Sequence, residues 1–250
     1  MSLCHLTNAR RKMRGLKLHI IAASLLLSAG ALASPFAYVP NEKSGTISII
    51  DCAVDKVIAV MPAGTKPRGL AVSPDGKTLY VSDQPANALL IIDLASRAVV
   101  GSIALGESPE GVGVSPTGEW IVAASEITNS VSFVSPVTRK KEFSIKTAGK
   151  NPEHAEFSPD GRWLYVSAEE ADSLDIIDVQ KRAEVATVKL GLRPRGIGFM
   201  PDGKTAYIAS ELASTIYAVD VASGVESSPG KKDADKMRRF IAEALASVRA

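Results

Sequence analysis

The chain has 250 residues, 46% hydrophobic and 22% charged, an ordinary globular composition that excludes a disordered or fibrous protein. Its 29 basic residues slightly outnumber its 27 acidic ones, but Arg10, Arg11, Lys12, Arg14 and Lys17 all stand at the extreme N-terminus. Without them 24 bases face 27 acids, a net charge of about −3, so no nucleic-acid partner is expected.

Those bases precede the apolar run "LHIIAASLLLSAGALA", and no acid occurs before Glu42. Residues 1–33 therefore read as a secretory signal peptide with cleavage between Ala33 and Ser34, an uncleaved anchor being the alternative. The expected location is periplasmic or secreted, with no membrane span in the mature chain. Cys4 precedes the apolar run, which argues against a lipid anchor, and Cys52 alone remains after cleavage, so no internal disulfide can form.

From residue 34 to about 224 the chain repeats itself. "SPDGKTLYVSD" from Ser73 returns as "SPTGEWIVAAS" from Ser115, "SPDGRWLYVSA" from Ser158 and "MPDGKTAYIAS" from Met200. Aligned on Pro67, Pro109, Pro152 and Pro194, the units are separated by 42, 43 and 42 residues. Each unit reads as four strands, in the second unit "GLAVSP" (A), "KTLYVSD" (B), "ALLIIDL" (C) and "AVVGSIALG" (D), with Pro74-Asp75-Gly76 turning A into B. Strand C is apolar at consecutive positions, which demands cover on both faces. Four-stranded sheets stacked around an axis meet that demand, so the expected fold is an all-β propeller of antiparallel blades.

The stretches "AYVPNEKSGTISIID", "LYVSDQPANALLIID", "LYVSAEEADSLDIID" and "AYIASELASTIYAVD" resemble the YVTN-type β-propeller repeats of exported bacterial and archaeal proteins. "PEGVGVSPTGEWIVAASEITNSVSF" is more narrowly similar to the propeller proteins associated with pyrroloquinoline-quinone-dependent catabolism. No blade ends in the Trp-Asp pair of WD40 repeats. The resemblance implies more units than are present. Strands distributed 3, 4, 4, 4 and 3 give three full and two partial blades, so an incomplete arc is expected. A linker at 225–232 and an amphipathic helix at 233–250 follow, the helix carrying Met237, Phe240, Ile241, Ala244, Leu245 and Val248 as a candidate cap, with a membrane or partner role as the alternative. Self-association through open blade faces is a further expectation.

Two sets of repeated positions fall at one end of the blades. Four residues past the strand-B aromatic, or past Val122, stand Glu42, Gln84, Glu126, Glu169 and Glu211. After each blade-opening proline stand Arg68, Glu110, Glu153 and Arg195. A face carrying these groups suits a cation, a sugar-like ligand or a basic partner, whereas wet turns with local ion pairs would look the same. His154 is the one histidine after cleavage and is a candidate axial ligand by resemblance to haem-d1-binding propellers. Asp51, Asp93, Asp178 and Asp220 read as turn acceptors, and Tyr38, Tyr80, Tyr165 and Tyr207 as packing.

No nucleophile elbow, His-Glu-x-x-His, paired-cysteine metal motif or phosphate loop occurs. The leading expectation is a non-enzymatic exported binding or scaffold module, accessory to a periplasmic quinone-dependent oxidation system, with no cofactor and an unknown protein or small-molecule partner. The alternatives are a calcium-dependent lactonase-like hydrolase, with Glu42, Glu126, Asn129 and Glu169 as oxygen ligands, and a haem-d1-type propeller.

Overall fold

A computed structural model describes residues 36–220, 226–228 and 231–232. Blade one comprises β1 (Phe36–Asn41), β2 (Thr46–Asp51) and β3 (Lys56–Pro62). Blade two is β4 (Pro67–Val72), β5 (Thr78–Asp83), β6 (Ala88–Asp93) and β7 (Ala98–Ala104); blade three is β8 (Pro109–Val114), β9 (Ile121–Ser125), β10 (Ser130–Ser135) and β11 (Lys140–Lys146). Blade four is β12 (Pro152–Phe157), β13 (Trp163–Ala168), β14 (Ser173–Asp178) and β15 (Ala183–Lys189), and blade five is β16 (Pro194–Phe199), β17 (Thr205–Ser210) and β18 (Thr215–Asp220). Every blade is an antiparallel meander. The expected strand A of blade two begins earlier than its apolar core suggests, at Pro67, because pairing to β5 resumes beyond a bulge.

The Pro-Asp-Gly turns form for the reason their residues imply. Gly76, Gly161 and Gly203 take φ of 70°, 71° and 68°, as does Gly118 of the Pro-Thr-Gly copy at 71°. Asp75 Oδ1 accepts the Lys77 N–H at 3.1 Å, and Asp160 and Asp202 do the same for Arg162 and Lys204 at 3.1 and 3.0 Å. At the end of strand C, Asp51, Asp93 and Asp178 accept the amides of Ala53, Ser96 and Lys181 at 2.9, 2.7 and 3.0 Å, as turn acceptors should.

Four hydrophobic clusters fill the four junctions between successive blades. Leu89 and Ile91 of blade two, for example, meet Val112, Ile121 and Ala123 of blade three. The innermost strands touch through glycine: a Cβ on Gly69 would collide with the Glu110 carbonyl, and one on Gly111 with Glu153 and His154. At the far side of blade five this cover stops. Nothing lies within 4 Å of a Cβ at Gly196 or Gly198, and Ile216 is 69% exposed although its equivalents Ile47, Leu89, Val131 and Leu174 are fully buried. Tyr207 is 44% exposed where Tyr80 and Tyr165 are buried, so the packing role read for this tyrosine is not met among the described residues, where no blade follows it.

Among the described residues there is no α-helix, and no helix long and apolar enough to cross a membrane. The expected C-terminal helix at 233–250 lies outside the described residues, as do the leader and the side chain of Asp220. Within the expected linker β19 (Glu226–Ser228) pairs antiparallel with β20 (Lys231–Lys232).

Candidate functional site

The innermost strand of each later blade opens with proline and then slips register. The shift lies between Pro67 and Leu70, Pro109 and Val112, Pro152 and His154, and Pro194 and Ile197. Bulges of this kind re-aim the residues they contain, here Arg68, Glu110, Glu153 and Arg195. Opposite them, the B-to-C turns are pinned to the link that enters their own blade: the amides of Gln84, Glu126, Glu169 and Glu211 donate to the carbonyls of Lys66, Ser108, Asn151 and Arg193 at 3.2, 3.0, 2.9 and 2.9 Å. The two sets read from the sequence therefore share one mouth.

They meet as two arginine-centred clusters. Arg68 donates to Glu110 through Nε and to Glu42 Oε2 through Nη1 at 2.8 Å, while its Nη2 stands 3.7 Å from Glu153 Oε1. Arg195 pairs with Glu153, lies 3.9 Å from Glu169 Oε2 and donates to Glu211 Oε2 at 3.2 Å. Gln84 bridges the first cluster: it accepts from Lys66 Nζ at 2.6 Å and donates to Ser108 Oγ at 2.9 Å and to Glu110. Ser108 Oγ in turn donates to Glu126 Oε2 at 2.7 Å.

Lys66 and Arg193 were missed in the sequence reading. Arg193 pairs with Glu169 and stands 3.6 Å from Glu211; Lys66 pairs with Glu42 at 3.1 Å. The signal was available: Lys66, Ser108, Asn151 and Arg193 all precede the blade-opening proline, which makes a third recurring position beside the two recognised.

Carboxylates outnumber bases here, and the excess is buried. Glu110 is 2% exposed, and burial pushes its carboxyl up to about 7 against the pull of Arg68. Burial also raises Glu153, with Arg195 opposing. The Lys66 ammonium holds half-buried Glu42 below the usual range. Oxygens of Glu126, Glu153 and Glu169 lie within 4.8 Å of one another, and Glu153 Oε2 is buried with no hydrogen-bond donor.

The structure corrects the proposed oxygen set. Glu42 is not in this triad, and Asn129 is a turn residue: it takes φ of 45°, and its Oδ1 accepts the Asn151 N–H at 2.8 Å. A cavity of about 280 Å3 opens at the mouth, lined by Arg68, Glu110, Glu153, His154 and Arg195 among others. Burial pushes the His154 imidazole below its ordinary value. One histidine beside a cavity just under the usual ligand-pocket range does not fit a haem-sized macrocycle, and no step is derived through one.

The family model of YNCE-like beta-propellers matches residues 30–117. The chain has a β-propeller fold of antiparallel blades. A model of N-(5'phosphoribosyl)anthranilate isomerase also matches residues 198–243, a stretch whose described strands, those of blade five and the β19–β20 ladder, all pair antiparallel. No curated protein matches. Among solved structures, Kuenenia stuttgartiensis hydrazine synthase is similar at 20% identity and TM-score 0.65, over 75% of this chain and 63% of that one. A candidate 6-phosphogluconolactonase of Bacteroides uniformis is similar at 18% identity and TM-score 0.66, over 77% and 66%. Dihydro-heme d1 dehydrogenase NirN, in complex with DHE, is similar at 16% identity and TM-score 0.57, over 77% and 42%. These likenesses establish the propeller fold, and the chain spans less than two thirds of the length of each of these chains.

Proposed function

We propose that the chain is a binding or scaffold module of an exported propeller protein and engages its ligand or partner protein at the mouth. The cavity between Arg68, Glu110, Glu153 and Arg195 carries this reading, because charges from four blades, buried Glu110 among them, converge on one space. The resemblance to propellers of quinone-dependent catabolism makes an accessory role in periplasmic oxidation the expected setting. Calorimetric titration with pyrroloquinoline quinone and with calcium ion tests it. One probe should release heat, and joint Glu126→Ala, Glu169→Ala and Arg195→Ala substitution should abolish that heat. Silence from both probes, or unchanged affinity in the triple variant, overturns the reading. Export predicts a mature N-terminus at Ser34; recovery of the intact leader in a cytoplasmic fraction would refute it.

A calcium-dependent lactonase-like hydrolase is the second reading, favoured by the Glu126, Glu153 and Glu169 oxygens, which are hard donors within 4.8 Å of one another. Calcium-dependent thermal stabilisation together with hydrolysis of a sugar lactone would support it. Neither effect would remove it.

We further read the five blades as an open arc. The empty space beside Gly196 and Gly198 and the exposure of Ile216 support this. The amphipathic segment 233–250 or a second copy of the chain is the proposed cover, and solution mass separates a capped monomer from a self-associated arc.

A further inference from the structure

The innermost strands follow a packing rule that one blade breaks. Their third and fifth residues share the face turned toward the following blade, since side chains alternate along a strand. Blade two has Gly69 and Ala71 there, blade three Gly111 and Gly113, and blade five Gly196 and Gly198. Crowding explains the inner glycines: a Cβ on Gly69, Gly111 or Gly113 would strike the backbone of the next innermost strand, at Glu110, Glu153 and Ala155 respectively. Blade four has His154 and Glu156 at these two positions. A repeat that departs from its own packing rule twice, each time to a side chain that can ligate, marks function where the other copies serve folding.

The bulge at Glu153 leaves this pair intact, because β12 stays in register with β13 from His154 to Phe157. The His154 ring lies back over blade three, with Nδ1 3.1 Å from where a Cβ on Gly111 would stand, and it lines the mouth cavity beside Gly69 and Gly111. Glu156 stands two residues further from the mouth, about 7 Å along the same strand. Both residues are half-buried. Burial is the one influence on either group, lowering the imidazole and lifting the carboxyl to about 7, with no hydrogen bond and no charged neighbour contributing. Each side chain thus has lone pairs that the fold does not use.

We propose that His154 and Glu156 form a binding site for one divalent transition-metal ion of the zinc class, reached through the mouth. An imidazole nitrogen and a carboxylate oxygen are donors that such ions take at about 2.0 to 2.2 Å, and the nitrogen selects against calcium and magnesium. Two residues apart on one strand face, side chains of this length reach a common ion. Two protein donors leave its remaining positions to water or to a molecule entering from the cavity. The site is separate from the oxygens of Glu126, Glu153 and Glu169, which are hard donors without a nitrogen.

The test uses the full chain carrying His5→Gln and His19→Gln, which leaves His154 as its one histidine, after removal of metal by chelator. Zinc ion should bind one to one in calorimetry, and one equivalent should shift the single set of imidazole proton resonances completely. Glu156→Gln should weaken zinc about tenfold or more, and a large excess of calcium ion should not displace it. Joint Glu126→Ala, Glu169→Ala and Arg195→Ala substitution should leave zinc affinity unchanged, so silence of calcium and quinone at the mouth and silence of zinc at β12 are separate results. Absence of zinc binding overturns the proposal. So does binding that leaves the imidazole resonances in place, or moves them only at many equivalents, which would be adventitious. Unchanged affinity in Glu156→Gln, or lost affinity in the folded triple variant, would overturn it as well. The imidazole is read with β12 unaltered, so the test decides even where Glu156→Gln does not fold.

Discussion

The two ends of each blade carry similar polar residues and use them in opposite ways. Away from the mouth, Asp75, Asp93 and Asp178 bond to amides two or three residues along, and each turn is satisfied by itself. At the mouth, Arg68 reaches Glu42 and Glu110, 26 and 42 positions away in sequence, and belongs to three blades at once. The titrations diverge accordingly. Turn hydrogen bonds hold Asp75 and Asp93 below the usual carboxylate range, whereas burial lifts Glu110 and Glu153 above it. One end is built to close a turn, and the other holds charge under tension in a shared space.

Glycine gives the widest separation between the two ends. Gly111 is small because the Glu153 and His154 backbones lie against it, so Gly111→Val should cost about 3 kcal/mol or more in chemical denaturation. Gly161 is glycine for its φ of 71°, with only Pro116 at 3.5 Å, so Gly161→Ala should cost about 1 kcal/mol. Equal costs would erase the distinction between cross-blade crowding and local conformation.

Arg68→Met leaves Glu110 buried without its main cation. A loss of about 3 kcal/mol is expected at pH 8, because a buried carboxylate is left unpaired. At pH 5.5 the loss should shrink to below about 1 kcal/mol, because a carboxyl that titrates at about 7 is already neutral and needs no partner. In the intact chain the same shift has a definite sign. The folded form holds the Glu110 proton up to about 7 and the unfolded form releases it near 4.5, so stability falls as pH rises between those values and levels above them. Denaturant midpoints across that range measure it, and a cost of Arg68→Met independent of pH would refute the assignment to Glu110.

The blade architecture was legible in the sequence because its causes are local and repeated. Gly76 and Asp75 make a turn whatever surrounds them, and the constant spacing of Pro67, Pro109, Pro152 and Pro194 fixes the stacking. Residues at the mouth could be placed by the same alignment, which is why Arg68, Glu110, Glu153 and Arg195 converge as expected. Their partners could not be assigned, since an ion pair across 42 residues depends on side-chain reach after the bulge. Asn129 shows the limit: its chemistry suited a cation, but its position just before β10 commits the amide oxygen to Asn151. Tyr207 shows another, because whether a repeated aromatic is buried depends on a neighbour its own repeat does not encode.

Asp75 supplies the smallest effect and the cleanest contrast with Glu110. Its Oδ1 accepts from Ser73 Oγ at 2.6 Å and from the Lys77 amide, at an exposed turn that touches no other blade through these bonds. Asp75→Ala removes that acceptor from one of several equivalent turns, so the melting midpoint at pH 7 should drop by only about 1 °C. Since the folded form holds this carboxyl below its usual 3.8, its contribution is present at neutral pH and is lost as pH falls through the depressed value. Variant and parent should therefore converge in strong acid, whereas Arg68→Met and its parent converge as pH falls only to the range where Glu110 is neutral. A drop at Asp75 as large as that at Arg68, or one that persists in acid, would mean that the far-end turns also carry load between blades.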